Sequence, residues 1–224
     1  MIVHAENGTL AKALGLAAVY NRKLHIAHLS QKSELELVME AKKRGIKVTC
    51  EVTPHHLFFT DKDQKKLGPF GVMKPPLRKT KDLKFLWANI KAIDCVATDH
   101  APHTKKEKKS PNPPFGVTGI ETSLPLMLTA ANKEKIKLNE VIRLMHEGPK
   151  KIFNITTNSK TYTLVDMKKK YKISNKDLFT KCEWTPFENM PMQGRVEKVV
   201  IRGKEAFNNG QIKIKPGFGK NIYE

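Results

Sequence analysis

The 224-residue sequence lacks the features that mark several large protein classes. It has no apolar run approaching the ~18 residues of a membrane span. Its first residues, MIVHAENGTLAKALG, carry neither the basic start nor the long apolar stretch of a secretory signal. Cysteine is scarce: Cys50, Cys95 and Cys182 form no CxxC pair and are too few for a disulfide framework, so a reducing, cytoplasmic setting is expected. There is no glycine-rich phosphate loop, no GxGxxG and no GxSxG elbow, which leaves nucleotide-binding and serine-hydrolase readings without support. Acidic residues are few, 22 against 41 Lys and Arg, for a formal charge of +19. The excess is mostly lysine and is spread through KKRGIK, DQKKLG, TKKEKK, HEGPKK and DMKKKYK. No RNA- or DNA-binding motif accompanies it, so it reads as a solvated surface rather than a nucleic-acid interface. The same charge would attract small acidic substrates.

What is present is an alternation of strand-like and helix-like runs. Hydrophobic residues make up 39%, enough for one sizeable domain and an appendage. MIVH is a short apolar run. NGTLAKALGLAAVYNR is helical, with Leu10, Leu14 and Ala17 or Ala18 on one face. KLHIAHLS is a strand, and SQKSELELVMEAKKRG is a helix capped by Ser30 or Ser33 and stopped by Gly45. IKVTCEVTP is a β-branched strand ended by Pro54. TKDLKFLWANIKAI is helical, DCVATDHAP is a fourth strand, and GIETSLPLMLTAANKEK and LNEVIRLMHEGPKKIF are further helices. The charged, proline-rich HTKKEKKSPNPPFGVTG is a loop, and RVEKVVIRGKEAFNNGQIKI forms two strands joined at Asn208-Asn209-Gly210. Strands alternating with helices predict a parallel α/β architecture. A partial (β/α) barrel is expected over 1–155, and a remainder with a small β appendage over 156–224.

Each of the four strand-like runs carries a potential metal ligand near its C-terminal end: His4, His28, Glu51 and Asp99. In a (β/α) barrel the chemistry gathers at that end, so distant ligands can converge. Singly, each has a plain explanation. His4 could be an exposed terminal residue and His28 structural; Glu51 could pair with a lysine and Asp99 cap a turn. His25 reads as structural, His55 and His56 as one packed and one near the site, and His146 as surface or structural. VATDHAPH also packs Asp99, His100 and His103 into five positions. Taken together, imidazole and carboxylate suit zinc and related ions. A carboxylate beside a metal-activated water can accept its proton. The pattern points to metal-assisted hydrolysis, or its reverse, at an amide-like carbon.

At HAENGT, HIAHLS, VTCEVTPHHLFFT, DCVATDHAPHT, GIETSLPLMLTA, KCEWTPFE and GKEAFNNGQIKIKPGFG the sequence resembles dihydroorotase, of the amidohydrolase superfamily. In particular it resembles the C-terminal half of the dihydroorotase domain of the multifunctional animal polypeptide for pyrimidine synthesis. The resemblance implies a partial TIM-type (β/α) barrel with a C-terminal β appendage, zinc, and reversible cyclisation of N-carbamoyl-L-aspartate to L-dihydroorotate in the cytoplasm. It implies that His4 and His28 bind one zinc, and that Asp99 binds the other and is the catalytic acid–base. By the same resemblance His103 and Lys74 contact substrate and Glu51 binds an additional zinc. Lys74 stands where the family has Arg or Asn, which removes a bidentate fork. Ala27 stands where the animal-type domain has a cysteine, which weakens that additional site. The family's His-x-His pair with its following arginine, and the carboxylated lysine that bridges the metals, have no counterpart here.

The chain is therefore expected to be a fragment, inactive alone, or a half that pairs with another chain. A homodimer, or a multifunctional parent bearing carbamoyl phosphate synthetase and aspartate transcarbamoylase, fits the resemblance. Two alternatives stand beside it: a non-catalytic dihydroorotase-like assembly module, and a related cyclic amidohydrolase such as a dihydropyrimidinase or allantoinase.

Overall fold

The computed structural model describes residues 1–222. They divide into two compact units, residues 1–120 with 179–186, and residues 121–178 with 187–222.

The first unit is built on a four-stranded parallel sheet, in the order β1 (Ile2–Val3), β2 (Leu24–Leu29), β3 (Val48–Val52), β4 (Cys95–Val96). Helices α1 (Asn7–Val19), α2 (Lys32–Lys43), α3 (Pro54–Phe58), α4 (Asp61–Leu67) and α5 (Thr80–Ala88) lie between the strands in sequence. Strand β3 shows why the sheet forms: Val48, Cys50 and Val52 are buried on one face, while Thr49 and Glu51 project from the other. Strand β2, LHIAHL, is buried almost throughout, as expected of a parallel strand covered on both faces. Leu35, Val38 and Ala41 form the buried stripe of α2.

Two local expectations change. The cap of α2 is Gln31, not Ser30 or Ser33: Gln31 and Glu34 bond reciprocally, and Glu34 also accepts from the Ser30 amide and hydroxyl. Gly45 follows the end of the helix at φ 78, a left-handed conformation that suits glycine. The expected strand through DCVATDHAP shrinks to Cys95–Val96, because the chain leaves the ladder and Asp99 adopts φ 46.

Residues 179–186 return to this unit. Cys182 and Trp184 pack with Met73, Leu77 and Val117, flanked by Phe59 and Phe70. Within the expected loop a one-turn helix, α6 (Lys105–Lys108), buries its last residue, Lys108.

The second unit contains α7 (Ser123–Asn132), α8 (Leu138–Ile142) and α9 (Gly148–Phe153), then an antiparallel sheet of β5 (Tyr162–Lys172), β6 (Pro191–Ile201), β7 (Lys204–Asn208) and β8 (Gln211–Ile212). LNEVIRLMHEGPKKIF is not one α-helix. A wider π turn over Arg143–Glu147 joins α8 to α9, and Pro149 near the start of α9 has no amide to extend the ladder. The turn after Asn208 is present between β7 and β8, but β6 and β7 meet at an additional turn at Arg202-Gly203. Strand β5 was not foreseen. Helix α7 approaches β6 closely at Gly194, where an added Cβ would come within 2.7 Å of the Leu128 Cβ. Among the described residues no helix is long and apolar enough to cross a membrane, and none of the three cysteines is in a disulfide.

Candidate functional site

His4 follows β1 and His28 lies near the end of β2, on neighbouring strands. Their rings meet edge-on, with His4 Nδ1 2.6 Å from His28 Nε2. The backbone explains the encounter. The β2–β3 register slips between Ile26 and Leu29, inserting one extra residue, and His28 adopts φ 38. Such a bulge re-aims a side chain, and left-handed backbone in a non-glycine residue is a strain that marks functional positions. His28 is 6% exposed, and its Nδ1 is buried without a hydrogen-bond partner.

His4 is braced from its far side. Its Nε2 lies 3.5 Å from Glu6 Oε1, and Glu6 Oε2 accepts from the Arg78 guanidinium, whose Nε donates to Ser30 Oγ at 3.0 Å. A carboxylate at Nε2 favours the proton there and leaves the Nδ1 lone pair facing His28. Two zinc-bound nitrogens at ~2.0 Å and tetrahedral angles stand roughly 3.3 Å apart, so this pair would open by less than about 1 Å around an ion. With one nitrogen of His28 orphaned and the other meeting an imidazole, the two side chains fit a shared metal.

The other expected residues are more dispersed. Asp99 is exposed just beyond β4, in left-handed backbone. Among the described residues, His4, His28 and Asp99 do not gather into one three-ligand group; His25, Glu51 and Cys95 do. Glu51, on β3, meets His25 Nε2 through Oε2 at 3.0 Å and accepts from the His28 amide through Oε1 at 3.3 Å. His103 Nε2 donates to the Phe115 carbonyl at 3.0 Å, and its own carbonyl accepts from Trp184 Nε1 at 2.7 Å. Lys74 is exposed in the segment ahead of Pro75. His100 accepts the Gly119 amide on Nδ1 at 3.1 Å, which gives it a loop-pinning role.

Of His55 and His56, expected as one packed and one near the site, both are buried, at 2%. Burial pushes His55 well below the ordinary imidazole range, aided by His56 and His28 nearby. Burial likewise pushes His56 down to about 3, although its Nε2 meets the Pro75 carbonyl at 3.2 Å. Both are therefore neutral.

Three contributors escaped the sequence reading. Glu6 and Arg78 orient His4, as above. Lys108 is fully buried, and its ammonium donates to the carbonyls of Val72, Pro114 and Gly116 at 2.9, 2.9 and 3.0 Å, with the Trp184 ring 5.7 Å away. One cation thus ties the segment leading to Lys74 to the loop that carries His103. Glu6 in HAEN had a sequence signal, being two residues from a candidate ligand; Lys108, within KKEKK, had none.

No family model matches the chain. It is 42% identical over 223 residues, 99% of its length, to the multifunctional protein CAD of Squalus acanthias, of which it covers 10%. It is 35% identical over 218 residues, 95% of its length, to the dihydroorotase of Pyrococcus furiosus, of which it covers 51%. Among solved structures it matches the L-hydantoinase (dihydropyrimidinase) of Arthrobacter aurescens with a TM-score of 0.91 and 28% identity, covering 95% of this chain and 51% of that one. It also matches the inactive dihydroorotase-like domain of the CAD-like multifunctional protein of Chaetomium thermophilum, with a TM-score of 0.78 and 25% identity over 96% of this chain and 60% of that one.

The parallel sheet and these likenesses define the class: an α/β amidohydrolase-type chain forming part of a TIM-type barrel, with a C-terminal β appendage. Within that class the chain resembles the dihydroorotases, and it spans about half the length of the dihydroorotases it matches.

Proposed function

We propose that this chain supplies the C-terminal half of a zinc dihydroorotase, which interconverts N-carbamoyl-L-aspartate and L-dihydroorotate. The observation that carries the proposal is the convergence of His4 Nδ1 and His28 Nε2 at 2.6 Å from two strand ends, in a chain 35% identical to a dihydroorotase. His4 and His28 would hold one zinc, and Asp99 a second together with ligands from the rest of a barrel. A bound metal supplies Lewis acidity and a water of lowered pKa. The protein groups do the rest. When the ring opens, Asp99 takes the proton from the attacking water and delivers it to the leaving amide nitrogen; when the ring closes, it takes the proton from that nitrogen as it attacks the carboxyl carbon and returns it to the departing water. Its exposure past the strand end leaves it open to substrate. His103 and Lys74 bind the substrate carboxylate, with Lys74 acting as a point charge. Glu51 is assigned as a further metal ligand.

In this reading residues 1–155 form the partial barrel and 156–224 the remainder with the β appendage. The enzyme works in the cytoplasm, as a homodimer or within a multifunctional polypeptide bearing carbamoyl phosphate synthetase and aspartate transcarbamoylase. The test is to assay both directions of the reaction with the chain alone and in frame with its preceding coding sequence. Turnover by the longer form, abolished in Asp99→Ala, is expected. Absence of turnover from both forms sinks the proposal.

A second reading is a dihydroorotase-like module used for assembly rather than catalysis. It is favoured by Asp99 standing outside any three-ligand group among the described residues, and by the likeness to a domain described as inactive. Tight, stoichiometric zinc accompanied by turnover removes it. A third, hydantoin or dihydropyrimidine hydrolysis, rests on the 28% identity to the L-hydantoinase and is separated by profiling those rings.

A further inference from the structure

The sheet of the first unit carries a second cluster of ligand atoms beside the His4–His28 pair. Thr49 and Glu51 are two residues apart on β3, so their side chains leave the same face. In the parallel register His25 lies beside Thr49, and Cys95 lies beside Glu51. Imidazole, carboxylate and thiol thus form a row across β2, β3 and β4, with one ligand atom from each within 4.8 Å of the others. His25 is 4% exposed, Cys95 1%, and the Glu51 side chain 13%.

The hydrogen bonds around the row show which atoms remain for a ligand. Thr49 Oγ1 lies 2.8 Å from His25 Nδ1 and 3.5 Å from the Leu24 carbonyl. A carbonyl only accepts, so the hydroxyl proton points to Leu24 and the hydroxyl oxygen receives Nδ1–H. His25 Nε2 meets Glu51 Oε2 at 3.0 Å, while Glu51 Oε1 is engaged by the His28 amide. This contact lies in a nearly dry site with the Cys95 thiol beside it, so an ion entering there meets a nitrogen, an oxygen and a sulfur donor together.

We propose that His25 Nε2, Glu51 Oε2 and Cys95 Sγ bind one divalent ion of the zinc class, at a site separate from the one between His4 and His28. Nitrogen, oxygen and sulfur donors together suit a borderline-soft ion with tetrahedral preference. Binding deprotonates Cys95 and releases that proton to solvent; the thiolate and the carboxylate then balance the two positive charges of the ion. The ion joins three strands, of which β4 contributes only two residues to the ladder, so its role is to staple the sheet beneath the strand-end ligands.

Cobalt(II) titration of the chelator-treated full chain tests this. A near-ultraviolet thiolate-to-cobalt absorption is expected. It is lost in Cys95→Ser and retained in Cys50→Ser, since Cys50 projects from the other face. Thr49→Val, which removes the partner of His25 Nδ1, should weaken binding by about 10–100-fold. The band should persist in a His4→Ala, His28→Ala double variant, so loss of the dihydroorotase reading leaves this site standing. Should Cys95→Ser fail to fold by circular dichroism, Glu51→Gln keeps the shape and must weaken cobalt binding by at least about tenfold. No thiolate band in the folded chain, a band that survives Cys95→Ser, or unchanged affinity in Glu51→Gln overturns the proposal. In each case the His25–Glu51 contact is then an ordinary hydrogen bond within the sheet.

Discussion

Replacing Lys108 with methionine should destabilise the first unit far more than a lysine in a basic run normally would. The side chain is fully buried and its ammonium donates to three carbonyls at 2.9–3.0 Å. Hydrogen bonds to a charged donor contribute about 1.5–3 kcal/mol each, and the desolvation of the ammonium offsets several kcal/mol of that sum. Methionine fills the same volume without the charge, so the desolvation cost disappears with the bonds. Val72 still accepts from the Gly116 amide at 3.1 Å, so what remains is the Pro114 and Gly116 carbonyls short of a donor, at roughly 1 kcal/mol each, or about 2 kcal/mol together. With a urea slope near 3 kcal/mol per molar for a protein of this size, the midpoint should fall by about 0.7 M. Trp87 and Trp184 are the only tryptophans and both lie in the first unit, so their fluorescence follows this unit directly. A second signature comes from pH. Burial lowers folded Lys108 to about 8 from an ordinary 10.5. Between those values the unfolded chain binds more protons, so this group makes stability rise with pH across the window. The full penalty of the buried charge applies below about 8. Lys108→Met should lack that rise. A variant whose urea midpoint stays within about 0.2 M of the parent, with the same pH slope, would refute the carbonyl-clamp reasoning.

Gly116→Ala should be destabilising by more than about 1 kcal/mol in the same fluorescence assay. Gly116 has φ +129, and an added Cβ would lie 2.5 Å from the Ala101 Cβ and 2.8 Å from its carbonyl oxygen; a neutral result would mean the loop shifts freely. His56 stays neutral in the fold down to about 3, while the unfolded residue takes its proton near 6.5. The unfolded chain therefore binds more protons between these values, and stability should fall as pH drops through that window. His56→Asn should flatten the fall, and equal slopes for parent and variant would count against the buried neutral imidazole. Arg78→Met releases Glu6 from its guanidinium and should lower zinc affinity at His4 by about 10–100-fold in a chelator competition, with the fold retained; unchanged affinity would show that Glu6 holds His4 unaided.

Much of the first unit was legible because two periods are clean in the sequence. VTCEV alternates apolar and polar as a strand must, and Leu35, Val38 and Ala41 recur at helical spacing. Strand β5 was missed for a physical reason. Its residues, YTLVDMKKKYK, are mostly exposed or half-exposed, and among the described residues it pairs along β6 alone, so no buried face imposes an alternation. The π turn before α9 was missed because apolar spacing continues through it, while the disruption comes from Pro149 and the backbone. Lys108 was missed because nothing distinguishes the lysine that turns inward from its neighbours in KKEKK; the difference lies in three carbonyls distant in sequence or across the loop.

The candidate ligands show the same division between composition and backbone. That His4, His28, Glu51 and Asp99 all close strand-like runs is visible in the sequence. How β2 can aim both His25 and His28 at ligand partners is not. Strict alternation places residues three apart on opposite faces, so a regular strand cannot present 25 and 28 together. Nor could it pack Ile26 and Leu29 on the same face. The register shows the solution. Ile26 pairs with Cys50 and Leu29 with Val52, three residues against two, so both pack on the face of the buried Cys50 and Val52. The extra residue lets the chain turn through φ 38 at His28, bringing that imidazole to His4 and its amide to Glu51. Left-handed backbone at a β-strand histidine costs energy. Here the Glu51 carboxylate and the meeting with His4 offset it, and a bound cation would offset it further. In the proposed reading the strain and the bulge share one explanation: this strand end is shaped to present imidazoles to a metal.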